Sequence, residues 1–184
     1  FLSGSGQVIA GKKGLEAAAR DARYAFFKNL DGKIATAHTA DDNAETVLLH
    51  LVRGTGLKGL GGIMPRNGNV IRPMLSVTRA DVEDFLAEWS LPHIEDSSNE
   101  TDQFLRNRLR HHVMPLLKEE NPQLAENLSQ MALRLRQDEE CLAELAHRDV
   151  LSVAQLRKMH PSLRARALER FLKENGVREP EAEH

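Results

Sequence analysis

The run HTADDNAET, residues 38–46, sets one histidine and three carboxylates within eight positions. Asp41 and Glu45 stand four apart, so a helix would present them on one face. With His38 just ahead of that helix, His38, Asp41, Asp42 and Glu45 could position a nucleophile or move a proton. Asp41 and Glu45, on one face, could also hold Mg²⁺ through oxygen ligands. A plainer reading competes. Acids in a first helical turn are favoured by the helix dipole, each by roughly 0.3–1 kcal/mol. Thr39 followed by Asp42 resembles a capping box. On spacing alone the two readings are level, and His38 is the residue that the plain one leaves unexplained.

Three further groups lie downstream. Arg72, in RPM, is either half of a surface ion pair or a phosphate clamp, for which a planar guanidinium fork is suited. Asp96 and Asn99, in EDSSN, are residues that close turns through their side chains, and on composition a turn is the better reading. Arg106, Asn107 and Arg110, in RNRLRHH, put two guanidinium groups four apart on one helix face. That face is either solvated or an anion clamp. His111 and His112 could join it.

The elements that must hold these residues read as follows. Residues 14–30 form an Ala-rich helix with Leu15, Ala18, Ala22 and Phe26 on one stripe, and Asp31-Gly32 stops it. KIATAH is a short buried strand. A helix follows from Ala40 to Arg53, ended by Gly54. Residues 54–68 read as a glycine-rich connection. NVIRPML is a second strand after an Asn67-Gly68 turn. Thr78 caps a helix to Trp89, with Ala80, Val82, Phe85, Leu86 and Trp89 inward. This is the βαβα rhythm of a parallel sheet, and His38 and Arg72 fall at the sheet edge where open α/β sheets bind ligands. Two strands make no stable sheet, so strands are missed or the sheet is partial.

From Gln103 onward the chain reads as helix throughout. One helix covers 103–120 with a kink near Pro115. A long helix from Asn121-Pro122 to His147 carries a near-heptad seam of Leu124, Leu128, Met131, Leu135, Leu142 and Leu145. Ser152 caps a short helix, and Pro161 begins the last, which Gly176 stops. The fold class is α/β, a partial parallel sheet rich in helix, followed by an all-α segment. The boundary falls at residue 120, giving domains 1–120 and 121–184.

The 184 residues suffice for about one domain. Aromatics make up only 4%, so the core must be aliphatic. The single cysteine, Cys141, excludes an intrachain disulfide and a Cys-rich zinc site, and fits a cytoplasmic location. No apolar run is long enough to span a bilayer. The net charge of −2 hides segregation: residues 47–80 hold five bases and no acid, 81–102 eight acids and no base, and 151–173 six bases against Glu169. Such blocks either pair on the surface or offer basic faces to a polyanion.

Taken in order, GLEAAARDARYAFF, HxxDDxxET within IATAHTADDNAETVLLHLVRGTGLKGLGGI, IRPML, EDSSN, RNxxR and NPQL resemble the tRNA(Ile)-lysidine synthetases, PP-loop ATPases of the ATP-pyrophosphatase group. The resemblance is dense to Leu124 and looser beyond. It implies an ATP- and Mg²⁺-dependent ligase of tRNA processing. In that reaction ATP adenylates the C2 oxygen of the wobble cytidine in a tRNA(Ile) with a CAU anticodon, and the amine of free L-lysine then displaces AMP. By resemblance, His38, Asp41, Asp42 and Glu45 line the reaction site, with Asp41 and Asp42 as Mg²⁺ ligands. Thr46, Arg72, Asp96, Asn99, Arg106, Asn107 and Arg110 bind substrate or phosphate. Arg157, Lys158, Arg164, Arg166 and Arg170 face the RNA backbone.

The family's SGGxDS phosphate loop has only an echo here, SGSG at residues 3–6. The chain is thus similar to a fragment of a synthetase, expected to make no lysidine by itself. The open strand at 34–37 and the leucine seam point to a homodimer or to exchange of a strand or helix between copies. Two other functions compete: a metal-dependent hydrolase using His38, Asp41 and Asp42, and a non-enzymatic helical tRNA-binding module.

Overall fold

The computed structural model describes residues 15–93, 102, 104–147 and 152–177. Asp96, Asn99 and the SGSG stretch lie outside them.

The first helix, α1 (Leu15–Lys28), turns Tyr24 and Phe27 inward, their rings edge to face with centroids 5.7 Å apart. Ala22 and Phe26, expected on the buried stripe, are exposed. After Gly32 (φ 86°) comes β1 (Ile34–Ala35), then α2 (Ala40–Arg53). The bounds of α2 are those its sequence predicts. Thr39 and Asp42 form the capping box: the Thr39 side chain accepts from Asp42 N–H, and Asp42 accepts from Thr39 N–H at 2.9 Å.

The glycine-rich connection holds more order than a loop. It contains a one-turn helix, α3 (Leu57–Leu60), and β2 (Arg66–Asn67). Gly68 and Asn69 then turn the chain into β3 (Val70–Ile71). Gly68 has φ 61°, which suits the first central position of a type II′ hairpin. The sheet order is β1-β3-β2, with β1 parallel to β3 and β2 antiparallel to it. The missed strand was therefore β2, hidden in two polar residues.

Helix α4 (Arg79–Glu88) starts at a second capping box, Thr78 with Asp81. Its expected inner face is not buried: Phe85 and Trp89 are exposed, and no residue of α4 is buried. The kinked helix resolves into α5 (Leu105–Arg108), a π turn (Leu109–Val113) and α6 (Met114–Glu120). Helices α7 (Leu124–Leu145), α8 (Val153–Lys158) and α9 (Pro161–Glu174) complete the described chain.

Helix α7 packs most closely on α2, and also on α3 and α9. The seam lies half-buried beside the contact, with Met131 and Leu145 exposed. The buried positions of α7 are Ala125 and Ala132, whose small side chains let two helices approach closely. Ala40, Ala44, Met114 and Ala125 form the core cluster, with Leu48, Leu124 and Leu128 against it. Asn43, only 1% exposed, links three elements. Its Oδ1 accepts from Ile63 N–H at 2.7 Å and its Nδ2 donates to Ser129 Oγ at 3.2 Å.

Candidate active site

The first turn of α2 points its acids in two directions. Asp42 and Glu45 face α5 and the π turn. Arg106 donates from Nε to Glu45 Oε2 at 2.9 Å and from Nη2 to Asp42 Oδ1 at 3.0 Å. Arg110 donates from Nε and Nη2 to the two oxygens of Glu45, at 2.5 and 2.8 Å, and from Nη2 to Asp42 Oδ1 at 3.3 Å. Two guanidinium groups thus close over two carboxylates, and the Glu45 side chain is only 3% exposed. Hydrogen bonding to Glu45 raises the Arg110 pKa and outweighs its burial, so Arg110 stays charged. Asn107, between the two arginines in sequence, is buried.

Asp41 faces away from this clamp. Its Oδ1 accepts from Lys118 Nζ at 2.6 Å and its Oδ2 from Arg79 N–H at 2.7 Å. Burial alone would raise its pKa, but the bonds from Lys118 and Arg79 overcome it and hold the carboxyl below its ordinary value.

His38 stands three residues past β1, half-buried, with Nδ1 2.9 Å from Thr36 Oγ1. Burial lowers its pKa; nearby Asp42 opposes this, while Arg72, Arg106 and Arg20 add to it. His38 is therefore a neutral imidazole at pH 7, competent to take a proton. Arg72 is not in a surface ion pair. It is 5% exposed and donates to Met64 O and Tyr24 Oη, both at 2.6 Å. Its Nε is buried with no protein partner. Thr46 turns its hydroxyl back to Asp42 O at 2.8 Å, within its own helix.

Asp41 and Asp42 are both engaged by protein donors. Among the described residues no group of three or more His, Cys, Asp or Glu is placed to hold a metal. Asp41 and Asp42, the expected ligands, diverge, and every oxygen of both accepts from a protein donor. Service as Mg²⁺ ligands would require these bonds to open.

His111 and His112 do not join the clamp. Both rings reach Asp102, Nδ1 of His111 at 2.7 Å and Nε2 of His112 at 2.6 Å. Of the C-terminal cations, Arg166 pairs with Glu139 and Arg170 with Glu174, while Arg157, Lys158 and Arg164 are exposed. Sequence reasoning missed Lys118, Tyr24 and Asn43. Lys118 carried a faint signal as the last of four bases in residues 103–118, a run with no acid.

A family model described as the PP-loop domain matches residues 4–117, more than half of the chain. The chain belongs to the PP-loop family. A second model, the TilS substrate binding domain, matches residues 151–184 of this PP-loop chain. Among its relatives is a tRNA(Ile)-lysidine synthase of Geobacillus kaustophilus, 39% identical over 180 residues, which cover 86% of this chain and 39% of that protein. Another is the Porphyromonas gingivalis (strain W83) protein of the same name, 47% identical over 136 residues, 70% of this chain and 29% of that protein. The chain therefore spans well under half the length of these relatives. No helix among the described residues is long and apolar enough to cross a membrane.

Proposed function

We propose that this chain is the part of a tRNA(Ile)-lysidine synthase that carries the acidic and basic halves of the reaction site and the start of the tRNA-binding helices. The observation that carries this is the Arg106–Arg110 clamp closed over Asp42 and Glu45 beside a neutral His38. In the proposed reaction the C2 oxygen of a wobble cytidine attacks the α-phosphorus of ATP and pyrophosphate leaves. The amine of free L-lysine then attacks C2, AMP leaves, and the amine loses a proton. We assign Arg106 and Arg110 to neutralising the charge that gathers on the leaving phosphates, and His38 to taking the amine's proton.

A cavity of about 360 Å³ lies between α2, the segment after β3 and α7, with Leu75 and Leu133 among its walls and Arg72, Arg136 and Glu126 among its polar groups. We assign it to free L-lysine: its carboxylate toward a guanidinium, its α-ammonium toward Glu126, its aliphatic stem along the leucines. The exposed Arg157, Lys158 and Arg164 are assigned to the RNA backbone. A dimer through β1, an outer strand of the sheet among the described residues, belongs to the same proposal, and a monomeric sedimentation profile would contradict it.

The test is a graft. Residues of this chain replace the 180 matched residues of the Geobacillus synthase, and lysidine is measured in a tRNA(Ile) transcript with a CAU anticodon. The graft should form lysidine, and its Arg106→Met form should lose at least about a hundredfold in rate, in line with removal of one charge-stabilising donor. Equal rates from the two grafts would overturn the assignment.

A further inference from the structure

Helix α5, the π turn and α6 make one rod from Leu105 to Glu120. Three of its cations meet the three acids of α2: Arg106 and Arg110 at Asp42 and Glu45, Lys118 at Asp41. A regular α-helix would place Lys118 elsewhere on the rod. It turns by about 100° per residue, so Lys118, eight positions after Arg110, would stand about 80° round the rod from it. The π turn changes the phase. Met114 N–H donates to Leu109 O, five residues back, so the turn holds one residue more than an α turn. That residue absorbs about 100° and leaves Lys118 within about 20° of the Arg110 face. Pro115 accounts for the place of the turn. In a regular helix its ring would meet the carbonyl of His111, and it has no N–H to offer that carbonyl.

We propose that the π turn and the Lys118–Asp41 pair set the rotational register of this rod, and that Lys118 is a positioning residue holding the Arg106–Arg110 clamp on Asp42 and Glu45. Asp41 suits the role. Its other oxygen takes Arg79 N–H at the start of α4, and Val77 O accepts Ala40 N–H at 2.8 Å, so the acid is fixed before Lys118 arrives. The clamp is thus held at two points along one rod: by its own bonds, and by a tether just beyond Pro115.

The proposed function gives this tether its purpose, but its test needs no substrate. In the 184-residue chain, the Nε–H signals of Arg106 and Arg110 are read by nitrogen-edited NMR, assigned from Arg106→Lys and Arg110→Lys spectra. Lys118→Met and Asp41→Asn should each raise water exchange of both signals by about fivefold, the effect of losing a half-exposed ion pair. Lys118→Arg should stay near the parent. If Lys118→Met does not fold, Asp41→Asn and Lys118→Arg still decide. A fall in melting temperature with unchanged exchange would make the pair a plain structural tie and overturn the proposal. So would Lys118→Arg exchanging as fast as Asp41→Asn. Failure of the lysidine graft would leave this result untouched, so the two readings fail separately.

Discussion

Arg110 holds Glu45 with two nitrogens, Nε at 2.5 Å and Nη2 at 2.8 Å, and each oxygen of the carboxylate takes one. This bidentate pair closes a site whose carboxylate is almost wholly out of solvent. Paired guanidinium and carboxylate groups in such a place are costly to separate, because the survivor keeps its desolvation without its partner.

Glu45→Gln should therefore destabilise the chain by about 3 kcal/mol, the lower end for breaking a buried pair, since both arginines keep some contact with water and with Asp42. Urea unfolding measures it. A change within about 0.5 kcal/mol would place the pair among surface bridges instead.

Gly62 and Gly68 both have positive φ, 65° and 61°, but only one is crowded. A Cβ at Gly62 would meet Asn43 Oδ1 at 2.3 Å, whereas one at Gly68 meets nothing within 4 Å. Gly62→Ala should cost about 3 kcal/mol, combining backbone strain with loss of the Asn43 bond to Ile63. Gly68→Ala should cost about 1 kcal/mol from strain alone. Equal losses in thermal or urea unfolding would remove Asn43 as the link between α2, the glycine-rich segment and α7.

His38 gives a pH dependence. Its pKa is lowered in the folded chain, first by burial, so the folded state takes up its proton at lower pH than the unfolded state. The stability it contributes is complete above the ordinary value of about 6.5 and is lost as the pH falls from there through the lower folded value. Stability measured between pH 7.5 and about 5 should fall less steeply in His38→Gln than in the parent. An NMR titration of His38 with a midpoint above 6.5 would contradict this.

Much of this arrangement could be read from residues in order. The α2 bounds and the capping box at Thr39 and Asp42 follow from local chemistry, and local chemistry is what a sequence displays. The Arg106 and Arg110 spacing is likewise visible, since it sits within one helical turn. Their partners Asp42 and Glu45 lie more than sixty positions away, so the clamp itself was not legible. Lys118 was hidden for a sharper reason: helical periodicity puts it on the wrong face until the π turn re-phases the rod. The inward face expected of α4 failed because periodicity marks an apolar face without saying what covers it. Spacing left Arg72 open between a surface ion pair and a phosphate clamp, because its partners, Tyr24 and a carbonyl, carry no charge pattern.

The central claim is that Arg106 and Arg110 form an anion clamp. Calorimetric titration of the 184-residue chain with inorganic pyrophosphate, at fixed low salt, tests it most directly. The parent should bind, and Arg106→Met and Arg110→Met should each weaken binding by about tenfold or more, the loss of one charge-assisted contact. Equal affinity in parent and variants, or no binding by the parent, would contradict the clamp.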